Sequence, residues 1–349
     1  MPITLDSTAT PPTDAEPATA RQQPPESIWT LTNAVVPSTC LHLVAELGVA
    51  DEIGEDPVSI DELASHYRAN PDSLDRVLSL LAAHGIFRRD GRAYGHTEAS
   101  RLLRSDDPVS MRAFARMMGL SVFSTVLSNL EHSVRTGAPA IELVEPSGYW
   151  AYLRDHPDEA QIFAHAMTAK GVADSSAVLG AYDFSRFNTI ADIGGGRGHL
   201  LRAVLDAAPG AHGVLFDLPE VIQALDIKHE RLTPHAGDFF NDPLPTANAY
   251  LLMDVLHDWA DPECVAILTA IRRAGNAGAR VLIIETVLSE RGQDPRGHTL
   301  DVIMLAVTGG QERTAEELTE LFRRAGLSGG AAIATTGPLC IFEGRVGEG

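Results

Sequence analysis

From Thr189 onward, short apolar runs alternate with segments of helical period. The runs TIADIGG, HGVLFDL, LTPHAGD, AYLLMDVL and ARVLIIETVL read as strands, with two shorter ones at 331–335 and 339–342. Leu200–Ala208, Glu220–Leu225, Glu263–Arg273 and Ala315–Ala325 carry the 3.6-residue repeat between them. Strand and helix alternating in this way predict an α/β domain whose doubly wound parallel sheet is covered on both faces.

Upstream the pattern changes. Residues 108–187 read as helical throughout, broken at Gly137, Pro139, Pro146 and Pro157. Phe114, Met117, Met118, Phe123 and Leu127 form one Met- and aromatic-rich stripe; Ile162, Phe163, Met167 and Val172 form another. Such stripes serve a core, or an adaptable apolar substrate pocket. Before them, apolar residues recur at helical spacing from Ser27, are interrupted at Pro37, and resume through Leu41, Val44, Leu47 and Val49, with Gly48 as a stop. Two helices this apolar need a partner surface, so a homodimer interface is expected; packing inside one subunit is the alternative. Ser59 and Glu62 mark a capped helix start, Asn70-Pro71 a turn, and 72–84 a second helix. A hairpin with an Asp90-Gly91 turn follows. The expected organisation is a disordered tail at 1–26, a winged-helix-like dimerisation domain at 27–107, a helical connector at 108–186, and the α/β domain at 187–345.

Charge narrows the partners. Asp and Glu number 47 against 27 Lys and Arg, a net charge of -20. A chain this acidic repels phosphate backbones and anionic lipid. The order helix, turn, helix, hairpin would otherwise suit DNA, but the second helix offers Asp72, Asp75 and only Arg76, with Arg88, Arg89 and Arg92 confined to the wing. Cys40, Cys264 and Cys340 make no disulfide framework and fit a reducing cytoplasm. No apolar run reaches the roughly 18 residues of a membrane span, and no signal peptide is expected.

The chemistry gathers around IADIGGGRGHLL, residues 190–201: a strand, a glycine turn and a helix start. Gly194, Gly195, Gly196 and Gly198 let a ligand approach the backbone. Asp192, Asp217, Asp238, His257 and Glu285 all fall at or just after strand ends, where ligands of open α/β sheets bind. Asp217, with Leu218 beside it, lies 23 positions after Gly194 and suits a ribose diol; capping the helix at Pro219 is the other reading. The loop is D-x-G-G-G-x-G rather than G-x-G-x-x-G. A carboxylate at Asp192 is awkward for a pyrophosphate and comfortable for a cation, so S-adenosylmethionine (SAM) fits better than NAD. Asp238 could take an adenine amino group and Phe239 could flank the ring, unless both are plain loop residues.

The ordered set DIGGGRG, FDLPEVI, AGDFFNDPLP, VLHDWADPEC and GGQERTAEEL resembles the small-molecule SAM-dependent O-methyltransferases, both plant caffeic acid-type enzymes and bacterial polyketide and antibiotic tailoring enzymes. The resemblance spans most of residues 27–345 and implies a Rossmann-like methyltransferase fold with a dimerisation domain. It implies that His257 is the general base, flanked by Glu285 and Glu312, with Asp258 and Trp259 near the adenosine. On spacing alone His257 would as readily be a capping or packing residue. Relatives carry a basic residue four positions before the histidine; here it is Met253, followed by Asp254. That departure leaves room for N- or C-methylation or other tailoring chemistry. The resemblance implies an aromatic or polyketide phenol as acceptor, with Met304 beside it. Phe163, Met167 and Asp301 are further candidates to line its site, and catalysis is expected to need no metal.

Overall fold

The computed structural model describes residues 24–288 and 295–347. Residues 1–23 of the expected tail lie outside it, but the expected boundary moves: helix α1 (Pro24–Asn33) already includes residues 24–26. Helix α2 (Val35–Leu47) follows after a break at Ala34. Pro37 therefore sits in the first turn of α2, where a missing N–H costs little. Gly48, at φ 76°, ends α2 with its N–H on the Val44 carbonyl. Helices α3 (Ile60–Tyr67) and α4 (Pro71–Ala83) are capped by Ser59, through a reciprocal box with Glu62, and by Asn70. Strands Phe87–Asp90 and Ala93–His96 form the hairpin, and Val58–Ser59 adds a third strand to it. Ile53, Ile60, Leu63, Leu78, Leu81, Phe87 and Tyr94 make this region's core.

The start of the chain is not packed into that core. Ile28, Trp29, Leu31, Val35 and Val36 are all exposed. Contrary to the expectation from apolar runs, Pro24–Leu47 is long and apolar enough by composition to cross a membrane, with a mean hydropathy of 1.2 over its best window. An exposed apolar patch of this kind marks an interface.

The connector includes α5 (Arg112–Met118) and the 25-residue α6 (Pro157–Ala181). Helix α6 packs against α5 and against α7 (His199–Ala207), the first helix of the sheet domain. Seven strands form the main sheet: β1 (Thr189–Ile193), β2 (His212–Asp217), β3 (Leu232–Ala236), β4 (Ala249–Met253), β5 (Arg280–Glu285), β6 (Ser328–Ala334) and β7 (Cys340–Arg345). Their order is β6-β7-β5-β4-β1-β2-β3. Strands β1–β5 are parallel, as expected, but β7 runs antiparallel to β5, with Cys340 opposite Glu285, and β6 antiparallel to β7. The sheet is thus mixed. The connection between β6 and β7 is too short for a crossover helix, so the two strands pair as a hairpin.

Alternation along the strands builds two cores. Ile190, Leu215, Leu251 and Leu282 face α7, while Ala191, Tyr250, Leu252 and Ile283 face helices α8 (Asp261–Ala274) and α10 (Ala315–Ala325). Strand β1 pairs with β2 on one side and β4 on the other. The strand order reverses there, which opens a crevice beyond the carboxyl ends. Helix α9 (Pro295–Val307) packs on the connector, and a short parallel pair, Val287–Leu288 with Arg313–Thr314, carries residues 312 and 313 to the end of β5.

Candidate active site

The glycine loop closes the near wall of the crevice. Gly194, Gly196 and Gly198 have φ of 67°, 57° and 71°, left-handed conformations in which a side chain is strained. The loop is tied to β2 by the Gly194 N–H on the Phe216 carbonyl, 2.8 Å. A Cβ at Gly195 would come within 2.6 Å of the Asp192 carboxylate, whereas one at Gly196 would meet nothing within 4 Å. The loop therefore rests on Asp192 and presents Gly196 to open space. Asp192 is 1% exposed, lies beneath the loop and takes the Leu201 backbone N–H. Burial, and then the charge of Asp217, push it up to about 7. Its Oδ2 has no protein partner.

Asp217 ends β2 with Oδ2 accepting the Gly196 N–H and Oδ1 the Leu218 N–H, each at 2.7 Å. Burial raises its pKa, and those two N–H groups oppose the rise. Each oxygen keeps a lone pair for a ribose hydroxyl. Asp238 is committed locally, accepting from the Phe240 N–H (2.9 Å) and the Asn241 side-chain amide (2.6 Å). Phe239 and Phe240 meet the Trp259 ring edge to face, at 5.8 and 4.7 Å between centroids. Met253 is half-buried against the α7-side core. An added Cβ at Gly194 would lie 3.1 Å from Val255 and 3.8 Å from Phe239, so loop, aromatic wall and the turn after β4 converge. This glycine cradle, with the Asp217 carboxylate beside it and an aromatic slot, fits a nucleoside cofactor.

His257 lies on a 3-10 turn, Leu256–Asp258, just past β4. It is 6% exposed. Its Nδ1 is 2.7 Å from Glu312 Oε1. A carboxylate only accepts, so Nδ1 carries the proton and Nε2 holds the free lone pair in the neutral ring. Asp258 Oδ1 is 3.9 Å from Nε2. Burial lowers the pKa of His257, but Asp258, Glu312 and Asp254 outweigh it and raise the ring to about 10. Asp258 itself is pushed up to about 7, first by burial.

Glu285 does something other than hold the ring. Its Oε1 accepts the backbone N–H groups of Val255, Leu256 and His257, at 3.1, 2.6 and 3.2 Å. It caps the turn, and so fixes where the imidazole starts. Arg313, which sequence reading passed over, pins the same turn from the other side. Its guanidinium donates to the carbonyls of Leu256 (3.0 Å) and Trp259 (2.7 Å) and to Asp261. Glu312 is thus not the ion-pair partner of its neighbour. Asp301, expected to line the acceptor site, accepts the Glu312 N–H at 2.9 Å and so anchors that carboxylate.

Two of the apolar candidates, Phe163 and Met167, lie together. Phe163 packs edge-on against Tyr149 and Trp150, and Met167 belongs to the same cluster. Met304 is buried on α9, with the Thr308 hydroxyl on its carbonyl. Next to them a cavity of about 250 Å³ is lined by Tyr149, Trp150, Trp259, Gly148 and Thr308. Trp150 stacks on Trp259 at 6.3 Å, which joins this cavity to the turn that carries His257. Tyr149 and Trp150 were not singled out from the sequence, although GYWAY is the densest aromatic run in the connector. Lys170 was missed too. Its Nζ is 2.5 Å from Asp254 Oδ2. Its signal was rarity: the chain has only two lysines.

Residues 29–106 match the family model of the O-methyltransferase dimerisation domain, and residues 127–328 match that of the O-methyltransferase domain. The chain is 38% identical to the phenazine O-methyltransferase PhzM of Lysobacter antibioticus over 313 residues, covering 87% of this chain and 91% of that one. It is 36% identical to the 8-amino-8-demethylriboflavin N,N-dimethyltransferase of Streptomyces davaonensis, covering 82% and 85%. Among solved structures, human N-acetylserotonin methyltransferase in complex with SAM superposes with a TM-score of 0.88 at 28% identity, over 95% of this chain and 99% of that one.

Proposed function

The chain belongs to the SAM-dependent O-methyltransferase family, and on that premise we propose that it methylates a hydroxyl of a small aromatic or polyketide-type acceptor, with His257 as general base. The observation that carries this reading is the 2.7 Å contact between His257 Nδ1 and Glu312, which fixes the ring and leaves Nε2 to take a proton.

Bound SAM supplies a methyl group on a sulfonium, already a good leaving group. The protein's residues do the rest. Gly194 and Gly196 admit the nucleoside to the backbone, Asp217 holds the ribose diol with Leu218 beside it, and Asp238, Phe239, Met253 and Trp259 enclose the base. Phe163, Met167 and Met304, with the Trp150–Trp259 wall, hold a flat acceptor and exclude water. His257 Nε2 accepts the hydroxyl proton, and Glu312 stabilises the imidazolium that forms. The carboxylates around the ring raise its basicity, which strengthens it as an acceptor of the hydroxyl proton. Glu285, Arg313 and Asp301 keep the turn and Glu312 in place.

The exposed apolar residues of α1 and α2 support a homodimer built on the dimerisation domain, which would cover the same stretch that passes for a membrane span. DNA is disfavoured by more than net charge. Arg89 pairs with Asp75, and Arg92 with Asp72, so those wing arginines are neutralised by the helix beside them. Three unpaired cysteines support a cytoplasmic enzyme.

The test is methyl transfer from SAM across a panel of phenols, naphthols and hydroxyphenazines, with product mass and fragmentation. An O-methyl product supports the reading. A panel of aromatic amines runs beside it, because one relative is named for N,N-dimethylation. N-methyl products with no O-methyl product would replace the reading with the second one.

A further inference from the structure

Position 253, four residues before His257, is a methionine and carries no charge. A buried cation reaches the same corner from another element. Lys170, on α6, places Nζ 2.5 Å from Asp254 Oδ2 and 3.6 Å from Asp174 Oδ2, with its side chain 13% exposed. Asp254 follows β4 directly and holds a left-handed φ of 51°, a strained position for a residue other than glycine. Opposite it, His199 is the first residue of α7, straight after the glycine loop. Its ring lies so close to α6 that a Cβ on Gly171 would be 1.8 Å from Nε2.

This corner holds buried polar atoms that the protein does not satisfy. Both ring nitrogens of His199 and Asp254 Oδ1 have no hydrogen-bond partner in the protein, and Asp174 Oδ2 has only its ion pair with Lys170. Unsatisfied buried polar groups are rare in folded proteins, and several at one place point to a polar ligand. Burial pushes His199 down to about 4, so the ring is neutral and offers one donor and one acceptor. Lys170 has three N–H donors and two carboxylate neighbours. The corner is bounded by the glycine-loop helix, the turn leading to His257 and the connector.

We propose that Lys170 and Asp254, with His199 beside them, bind the α-ammonium carboxylate end of the cofactor, Lys170 supplying the positive charge from α6. The remaining N–H of Lys170 and an N–H of His199 meet the carboxylate, and Asp254 Oδ1 accepts from the ammonium group. A zwitterion suits a site that holds both signs of charge, because each end finds its complement and the ligand adds no net charge. The proposal rests on SAM being the cofactor.

The test compares two ligands by titration calorimetry. S-adenosylhomocysteine carries the amino acid end; methylthioadenosine keeps the adenosine thioether and lacks it. Lys170→Met should weaken S-adenosylhomocysteine at least about tenfold and leave methylthioadenosine unchanged, whereas Lys170→Arg should keep most of the affinity. Asp254→Asn, which suits the left-handed backbone, should also weaken only S-adenosylhomocysteine, and it decides the matter if Lys170→Met does not fold. An equal loss for both ligands, or no loss for S-adenosylhomocysteine, overturns the proposal. A wild-type protein that binds neither ligand overturns the cofactor reading instead.

Discussion

The two walls of the crevice are built by different means. The glycine wall is backbone: three residues at positive φ, one N–H accepted by Asp217, and open space above Gly196. The histidine wall is buried charge. One imidazole faces Glu312 and Asp258, while Glu285 is spent on three backbone N–H groups. The first wall holds a ligand chiefly by the shape of its backbone, with Asp192 and Asp217 beneath and beside the loop. The second concentrates carboxylates in low dielectric, and that concentration raises the basicity of one nitrogen. Binding and proton transfer should therefore respond separately to substitution.

The largest expected effect is on the histidine wall. His257→Ala should lower kcat by about 10³-fold, the range of a lost general base, with the Kd for SAM little changed. The same variant carries a stability signature. A histidine raised from about 6.5 to about 10 on folding contributes stability that is fully present below about pH 6.5 and is lost as pH rises through 10. Thermal unfolding should show wild type losing its advantage over the variant across that window. On the glycine wall, Gly196→Val strains a position at φ 57° and fills the open space. It should raise the Kd for SAM by about 10- to 100-fold, and kcat at saturation should change less. Should either variant damage kcat and Kd equally, the two walls would not be separable.

Smaller effects sharpen the division. Glu285→Gln replaces a carboxylate that accepts three N–H groups and should cost about 1.5–3 kcal/mol in denaturant unfolding. The smallest effect on either wall should come from far away. Leu31→Glu places charge on the exposed apolar face of α1, and sedimentation should show the dimer weakened while the Kd for SAM stays within about twofold.

How far the sequence disclosed this arrangement follows from range. Strand alternation, the Ser59–Glu62 box and the glycine turn are local, and each is written within a few residues. The strand-end residues Asp217 and His257 were legible because a parallel sheet delivers its carboxyl ends to one edge. Glu285 was legible as a neighbour of His257 but not as a cap, since its oxygen reaches a turn about thirty residues earlier. Asp192 was legible as a strand-end carboxylate but not as the support beneath the loop, because that depends on how the glycine turn folds over it. The β6–β7 hairpin showed as two short strands, but its direction depends on a connection whose shortness forbids a crossover. Lys170, Arg313 and Asp301 act on residues 84, 57 and 11 positions away, and no periodicity records such contacts.

The central claim is that carboxylates around His257 set the base. The most direct measurement is the pH dependence of single-turnover methyl transfer to a phenol, in wild type and Glu312→Gln. Removing a carboxylate that stabilises the imidazolium lowers the pKa of the ring, so neutral base appears at lower pH. The acid limb should rise about tenfold per pH unit in both proteins, be displaced to lower pH in the variant, and level off at a lower maximum rate. An acid limb that stays in place when Glu312 loses its charge would contradict the account.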